Sequence, residues 1–208
     1  MKLSQSRRGF LAVVIAGVCL LPSVSSATTT VVGTGPDSSF LVLESPNLGV
    51  RTYEVRYTYS SGASQDGYFL LGQVIASDAN YSISLTNYGS IPAPSYFVNS
   101  ISYNGTPETN NPLPPDYAPY WVHWVSGGMG YQDPPPTYSF NPGVPTPGIW
   151  TTGYGISSPS RLIAPGSWDA LFFSDGASAP SIAPIPETSS ALLALFGSLV
   201  IFKRRRSS

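Results

Sequence analysis

Cysteine and histidine are almost absent from this 208-residue chain, which contains one of each, Cys19 and His123. Residues 28–187 contain no cysteine, so this segment has no disulfide, no thiol nucleophile and no thiolate metal site. Zinc takes three or four nitrogen or sulfur ligands, which one histidine cannot supply. A hydrolase triad would need His123, but the chain has no G-x-S-x-G nucleophile motif. We interpret His123, which lies between two tryptophans, as a packed or edge-exposed strand residue.

Basic residues are scarce over the same segment. Residues 28–187 contain three arginines and no lysine against all eleven acidic residues of the chain, a net charge of −8. The net charge of −1 for the whole chain hides this imbalance, because the other basic residues lie near the two termini. A surface of this charge repels phosphate backbones, so we expect no nucleic-acid binding.

Other motifs of catalysis and binding are missing as well. There is no D-x-[DN]-x-[DN]-G calcium motif, and the glycine-rich turn at residues 127–130 lacks the Lys-Ser/Thr of a phosphate loop. The sequence does not decide whether two carboxylates are paired for glycoside cleavage, because the distance between them depends on the three-dimensional structure. The candidates are scattered along the chain: Glu54, Glu108, Asp116, Asp133 and Asp169. We therefore expect a protein that is not an enzyme and that binds no cofactor and no metal.

The N-terminus has the features of a secretion signal. A basic start precedes an apolar segment from Phe10 to Pro22, and small residues follow it. Ser25-Ser26-Ala27 fits the small-x-small rule, which predicts cleavage between Ala27 and Thr28. Residues 6–11 also fit the pattern S-R-R-x-F-L, so Sec export and twin-arginine export both remain open.

Three features follow one another at the C-terminus. The tripeptide Pro186-Glu187-Thr188 comes first, an apolar run extends from Ala191 to Phe202, and four basic residues follow, Lys203, Arg204, Arg205 and Arg206. Residues 188–202 fall short of the roughly 20 that a helix needs to cross a bilayer comfortably. We predict a short transmembrane helix that holds the protein in the inner membrane transiently, with the basic cluster on the cytoplasmic side.

This order of motif, short apolar segment and basic cluster resembles the PEP-CTERM sorting signal of exported Gram-negative bacterial proteins. Thr188 stands where that family has a second proline. The resemblance implies that exosortase, a membrane transpeptidase, reads the tail and cuts near the motif. It also implies an envelope or extracellular destination, with the export machinery and extracellular polysaccharide as further partners. An ordinary single-pass anchor is the alternative.

Aromatic, glycine and proline residues dominate the rest of the chain. All thirteen tyrosines and four tryptophans lie within residues 28–187, and such composition favours a mainly β domain. We predict an antiparallel β-sandwich-like domain or a β-rich α+β domain. The predicted organisation is a signal peptide (1–27), a β-rich exported domain (28–177), a Pro/Ser/Ala linker with the sorting motif (178–187), and a transmembrane helix with basic tail (188–208).

The clearest strand is predicted at residues 53–59, where apolar or aromatic residues alternate with polar ones. Further strands are predicted at residues 40–43, 81–85, 96–103, 120–125, 148–154 and 168–173, whereas residues 28–38 are predicted to be a loose leader. Residues 68–75 have helical spacing of apolar residues, although a strand is nearly as well supported. Residues 106–148 hold eleven of the 21 prolines and are expected to form stiff connections.

The four tryptophans are the leading candidates for binding. Trp121, Trp124, Trp150 and Trp168 would offer a stacking platform for sugars, which makes a carbohydrate- or small-ligand-binding module the alternative function. Large aromatic rings also fill the core of a small β domain, and we favour that interpretation. Arg161 and Asp169 flank the last turn and could pair there, but a surface pair would contribute only about 0–1 kcal/mol.

Overall fold

The computed structural model describes residues 28–60, 65–89, 95–111, 118–129, 144–152, 155–157 and 161–185. Over these residues the chain is mainly β with one helix, as predicted. In chain order the elements are β1 (Thr29–Gly33), β2 (Asp37–Ser45), β3 (Gly49–Tyr57), α1 (Gly67–Ser77), β4 (Tyr81–Asn87), β5 (Tyr96–Tyr103), β6 (Thr106–Thr109), β7 (Tyr120–Ser126), β8 (Thr151–Thr152) and β9 (Trp168–Ser174).

Six of these strands form the larger sheet, in the order β1-β3-β2-β9-β7-β8. The β2–β3 and β7–β9 pairs are antiparallel, but β1 pairs with β3 and β2 pairs with β9 in parallel. The sheet is therefore mixed, which differs from the predicted antiparallel sandwich, although most strand pairs of the described residues are antiparallel. Parallel neighbouring strands need long crossover connections. No local pattern in the sequence indicates which distant strands will pair.

The first strand is a second correction. Residues 29–33 are not a loose leader but pair with residues 52–56 of β3 at the edge of the sheet. Only one side chain of this strand, Val32, is buried. A strand that buries a single side chain has almost no hydrophobic alternation, and that is the signal on which strand prediction depends.

The helix α1 and the smaller sheet, in the order β4-β5-β6, pack on one face of the larger sheet. Asp66 caps the helix by accepting a hydrogen bond from the amide of Phe69. Leu70, Leu71 and Val74 of the helix are fully buried, which confirms the helical reading of residues 68–75. Within the proline-rich segment the sequence prediction missed β6, an edge strand that contains Pro107, where a missing amide donor is tolerated.

The larger sheet buries both of its faces. The helix-side face joins the main core through residues such as Leu41, Val55 and Leu171. The opposite face carries a second apolar cluster, which we call the aromatic face: Val42, Val122, Trp124, Trp168 and Ala170, with Phe40, Tyr120, Trp150, Phe172 and Ile182 packed against them.

Within the part of the chain that the structure describes, no helix is long and apolar enough to cross a membrane. The predicted signal peptide and transmembrane helix lie outside the described residues.

Candidate functional site

Three ionisable side chains meet inside the domain, and we call them the ionic cluster: His123, Arg161 and Asp169. The guanidinium of Arg161 donates to both carboxylate oxygens of Asp169, with Nη2–Oδ2 at 2.6 Å and Nε–Oδ1 at 3.0 Å. On the other side, Nε2 of His123 lies 2.8 Å from Oδ1 of Asp169. The side chains of Arg161 and Asp169 are fully buried and that of His123 is 8% exposed. The pairing of Arg161 with Asp169 that the sequence suggested is therefore present, but the pair is buried and does not lie at the surface.

Strand pairing brings the acid and the histidine together. In the antiparallel β7–β9 ladder His123 is opposite Leu171, and Asp169 lies two residues before Leu171 in β9, on the same face. Arg161 comes from the irregular segment before β9. Its remaining donors are also satisfied, because Nη1 donates to the carbonyl of Gly127 at 2.6 Å and Nη2 to that of Trp168 at 3.3 Å.

Two glycines make room for this cluster. A Cβ atom on Gly67, the first residue of α1, would lie 2.8 Å from Oδ1 of Asp169. A Cβ atom on Gly128 would lie 2.7 Å from Nη1 of Arg161, and Gly128 also has a positive φ of 84°. Residues with a Cβ atom would displace the charged groups at both positions, and at Gly128 the backbone itself favours glycine.

The charges compensate one another. Burial by itself would raise the pKa of Asp169, but the positive Arg161 and the hydrogen bond from His123 outweigh it and hold this pKa below its usual value. The Asp169 side chain therefore stays ionised although it is fully buried. When the imidazole is neutral, its proton must sit on Nε2, because a carboxylate oxygen can only accept.

A hydroxyl network lies on the same side of the sheet and was not anticipated from the sequence. Ser39 Oγ donates to the carbonyl of Ala164 at 3.0 Å, so it accepts from Tyr57 at 2.8 Å and from Ser167 at 3.0 Å, since a hydroxyl has one proton. Burial raises the pKa of the Tyr57 phenol, so the phenol stays a neutral donor at neutral pH. Three hydroxyls separated in sequence by up to 128 residues leave no local signal.

This arrangement fits a structural role better than a catalytic one. Arg161 and Asp169 are inaccessible to a substrate, and the oxygens of Asp169 are engaged by Arg161 and His123. The interpretation of His123 as a packed strand residue is consistent with its burial. Over the described residues no group of three or more His, Cys, Asp or Glu side chains is arranged to hold a metal ion.

The other candidate acids lie apart. Glu54 on β3 pairs with Arg56 at the surface, at 2.9 Å. Glu108 on β6 is buried and accepts from the amide of Asn47 at 3.0 Å. Asp169 lies on β9, whereas Asp116 and Asp133 are outside the described residues. The three candidate acids that the structure describes therefore lie on three different strands, and each has its own structural partner.

The four tryptophans do not form one exposed surface. Trp121 packs in the main core, where its Nε1 donates to the carbonyl of Glu108 at 2.9 Å. Trp124, Trp150 and Trp168 lie together on the aromatic face, on the other side of the sheet. Trp168 stacks on Phe40 with centroids 4.3 Å apart. All but Trp150 are buried, so the placement favours core packing over a sugar platform.

The terminal candidates are mostly beyond the described residues. Thr28, the predicted mature N-terminus, is exposed and directly precedes β1. Ala27 lies outside the described residues, as do the predicted sorting motif and basic cluster, comprising Pro186, Glu187, Thr188, Lys203, Arg204, Arg205 and Arg206.

The lowered pKa of Asp169 predicts a loss of stability in acid. A carboxyl whose folded-state pKa lies below its unfolded value contributes stability that is complete above the unfolded pKa, about 4, and is lost as the pH falls through the folded pKa. We expect the difference in free energy of unfolding between the wild type and Asp169→Asn to be constant from neutral pH to about pH 5 and to shrink below about pH 4. Urea denaturation at a series of pH values measures it, and a difference that stays constant down to pH 3 would contradict this assignment.

Comparison with protein-family models, with curated proteins and with solved structures found no match.

Proposed function

We propose that this chain is an exported bacterial protein of the cell envelope or extracellular matrix, with a non-enzymatic body and a PEP-CTERM-type sorting signal at its C-terminus. The proposal is carried by the tail sequence, in which the motif at residues 186–188, a short apolar run and four basic residues follow in order. In this proposal exosortase processes the tail while it is held in the inner membrane, and the body is then released to the envelope or the medium.

The architecture of the body is compatible with processing at both ends. Every helix and strand that the structure describes lies between Thr29 and Ser174. Cleavage after Ala27 and near Pro186-Glu187 would therefore remove none of these elements. The fully compensated ionic cluster and the separate partners of the described acids support a body that acts by being delivered and staying folded, not by catalysis.

Intact mass of the native protein, recovered from envelope and medium fractions, tests the sorting proposal. We expect a species that runs from Thr28 to a residue near Glu187. A variant with Pro186→Ala and Glu187→Ala is expected to retain the tail and to stay in the membrane fraction. If the wild-type protein is found only in the envelope fraction and still carries Arg204, Arg205 and Arg206, the tail is a simple anchor and processing is ruled out.

A further inference from the structure

The segment before the sorting motif was expected to be a linker, yet it lies against the body. Pro180 and Pro184 are buried and Ile182 is half-buried, while the alternate residues Ser181, Ala183 and Ile185 are exposed. The chain bends at Ser181 and Ile182, and one side of the segment packs on a surface. The surface is the aromatic face, against which Ile182 packs. We call residues 180–184 the strap.

Two hydrogen bonds fix the strap at its centre. The amide of Ser181 donates to Oε2 of Glu44 on β2 at 2.8 Å, a bond strengthened by the charge of the carboxylate. The indole Nε1 of Trp150 donates to the carbonyl of Ile182 at 2.7 Å. One partner lies on β2 and the other directly before β8, so the strap is held by two separate parts of the chain.

Docking shortens the tether between the body and the sorting motif. Only four residue steps separate Ile182 from Pro186, a reach of at most about 14 Å at 3.3–3.6 Å per residue. If the strap were released, the tether would begin at Ser174, the end of β9, and twelve steps would reach about 40 Å. The docked strap therefore limits the distance between the body and the sorting motif.

We propose that the docked strap holds the body against the bilayer with the aromatic-face side of the larger sheet towards the membrane. This inference rests on the proposed function, because the occupant is the membrane that contains the C-terminal apolar segment of the same chain. Ile149, next to Trp150, is 58% exposed, and Ile185, three residues after Ile182, is 56% exposed. Both are exposed aliphatic side chains: Ile149 precedes the residue whose indole binds the strap, and Ile185 directly follows the strap. In this proposal the membrane surface lies on their side of the body.

The experiment uses the predicted mature chain from Thr28 to Ser208, which contains no cysteine, so that a single introduced cysteine is the unique labelling site. One protein carries Ile149→Cys on the strap side. Its matched control carries Tyr88→Cys, which is 75% exposed on the smaller sheet, on the opposite side of the larger sheet. Each fluorescently labelled protein is reconstituted with phosphatidylcholine vesicles doped with head-group spin-labelled lipid, isolated by flotation, and measured for quenching.

We expect the label at residue 149 to be quenched more strongly than the label at residue 88. Glu44→Ala combined with Trp150→Phe removes both strap bonds and should abolish that difference, since each bond changes the ratio of docked to undocked strap by about fivefold to tenfold. Glu44→Ala alone gives the same test with a smaller change if the double variant does not fold. Hydrogen exchange at the Ser181 amide, which should quicken in both variants, reports undocking directly.

The outcomes separate the two proposals. A chain that does not float with the vesicles contradicts membrane retention, and the strap inference falls with it. A chain that floats but is quenched equally at both positions, or whose quenching is unchanged in the strap variants, overturns the strap inference and leaves the sorting proposal standing.

Discussion

Arg161→Met should destabilise the domain by about 3–5 kcal/mol, because it leaves the carboxylate of Asp169 buried without its main counter-charge. Methionine keeps the apolar part of the side chain as far as the position of Nε, so the substitution removes chiefly the charged guanidinium group. The five hydrogen bonds that the guanidinium donates to Asp169, Gly127 and Trp168 would all disappear. Urea denaturation followed by tryptophan fluorescence measures the change.

The same fold supplies the control. Arg56 forms an ion pair with Glu54 at 2.9 Å, but its side chain is 50% exposed. Arg56→Met removes the same chemical group from a pair in contact with water, so we expect a change of about 0–1 kcal/mol. Equal effects of the two substitutions would show that the ionic cluster is not the stabilising feature that its burial indicates.

Trp168→Ala is expected to cost a similar amount, about 3–5 kcal/mol, through the loss of packing on the aromatic face. Trp168 is buried at 7% exposure, stacks on Phe40, and meets the ring of Trp150 edge-on at 6.5 Å. Removing it would leave a cavity bounded by two aromatic side chains that cannot close around it. Thermal and urea unfolding of the purified wild-type protein and variant measure this loss of stability.

Tyr88→Ala is the control, because it removes an aromatic ring that is 75% exposed. Its effect on stability should stay within about 0.5 kcal/mol.

Trp168→Ala also separates the two interpretations of the tryptophans. If Trp168→Ala left stability unchanged and abolished retention on a polysaccharide column, the sugar-platform alternative would replace the core interpretation. A variant with unchanged stability that binds as the wild type does would instead contradict both.

Prediction from sequence succeeded where a pattern is local. Tyr53, Val55 and Tyr57 alternate with exposed or half-buried residues in β3, and their burial confirms the predicted face. The predicted bounds of β5 agree with the structure at both ends. In each case the hydrophobic period of the segment is the same information that folding uses to orient it.

Prediction failed where an element depends on a distant partner. Arg161 and Asp169 looked like surface residues, because an arginine and an acid eight positions apart give no sign that β7 and β9 will enclose them. The need for glycine at residues 67 and 128 is likewise evident only once the charged groups lie beside them. The strap was predicted as a linker, since its small residues and prolines resemble one and its acceptor, Glu44, is 137 positions away.

The position of β9 has a consequence for the order of events during biogenesis. This strand is the last of the described elements to leave the ribosome, yet it lies in the interior of the larger sheet between β2 and β7 and supplies Asp169. The N-terminal hairpin of β2 and β3 can form early from local contacts, but it has no neighbour on the β2 side until residues 168–174 arrive. In a chain that crosses a translocon as it is made, the larger sheet would stay incomplete until nearly all of the body had crossed. A twin-arginine substrate, in contrast, would have to wait in the cytoplasm until Ser174 was free of the exit tunnel.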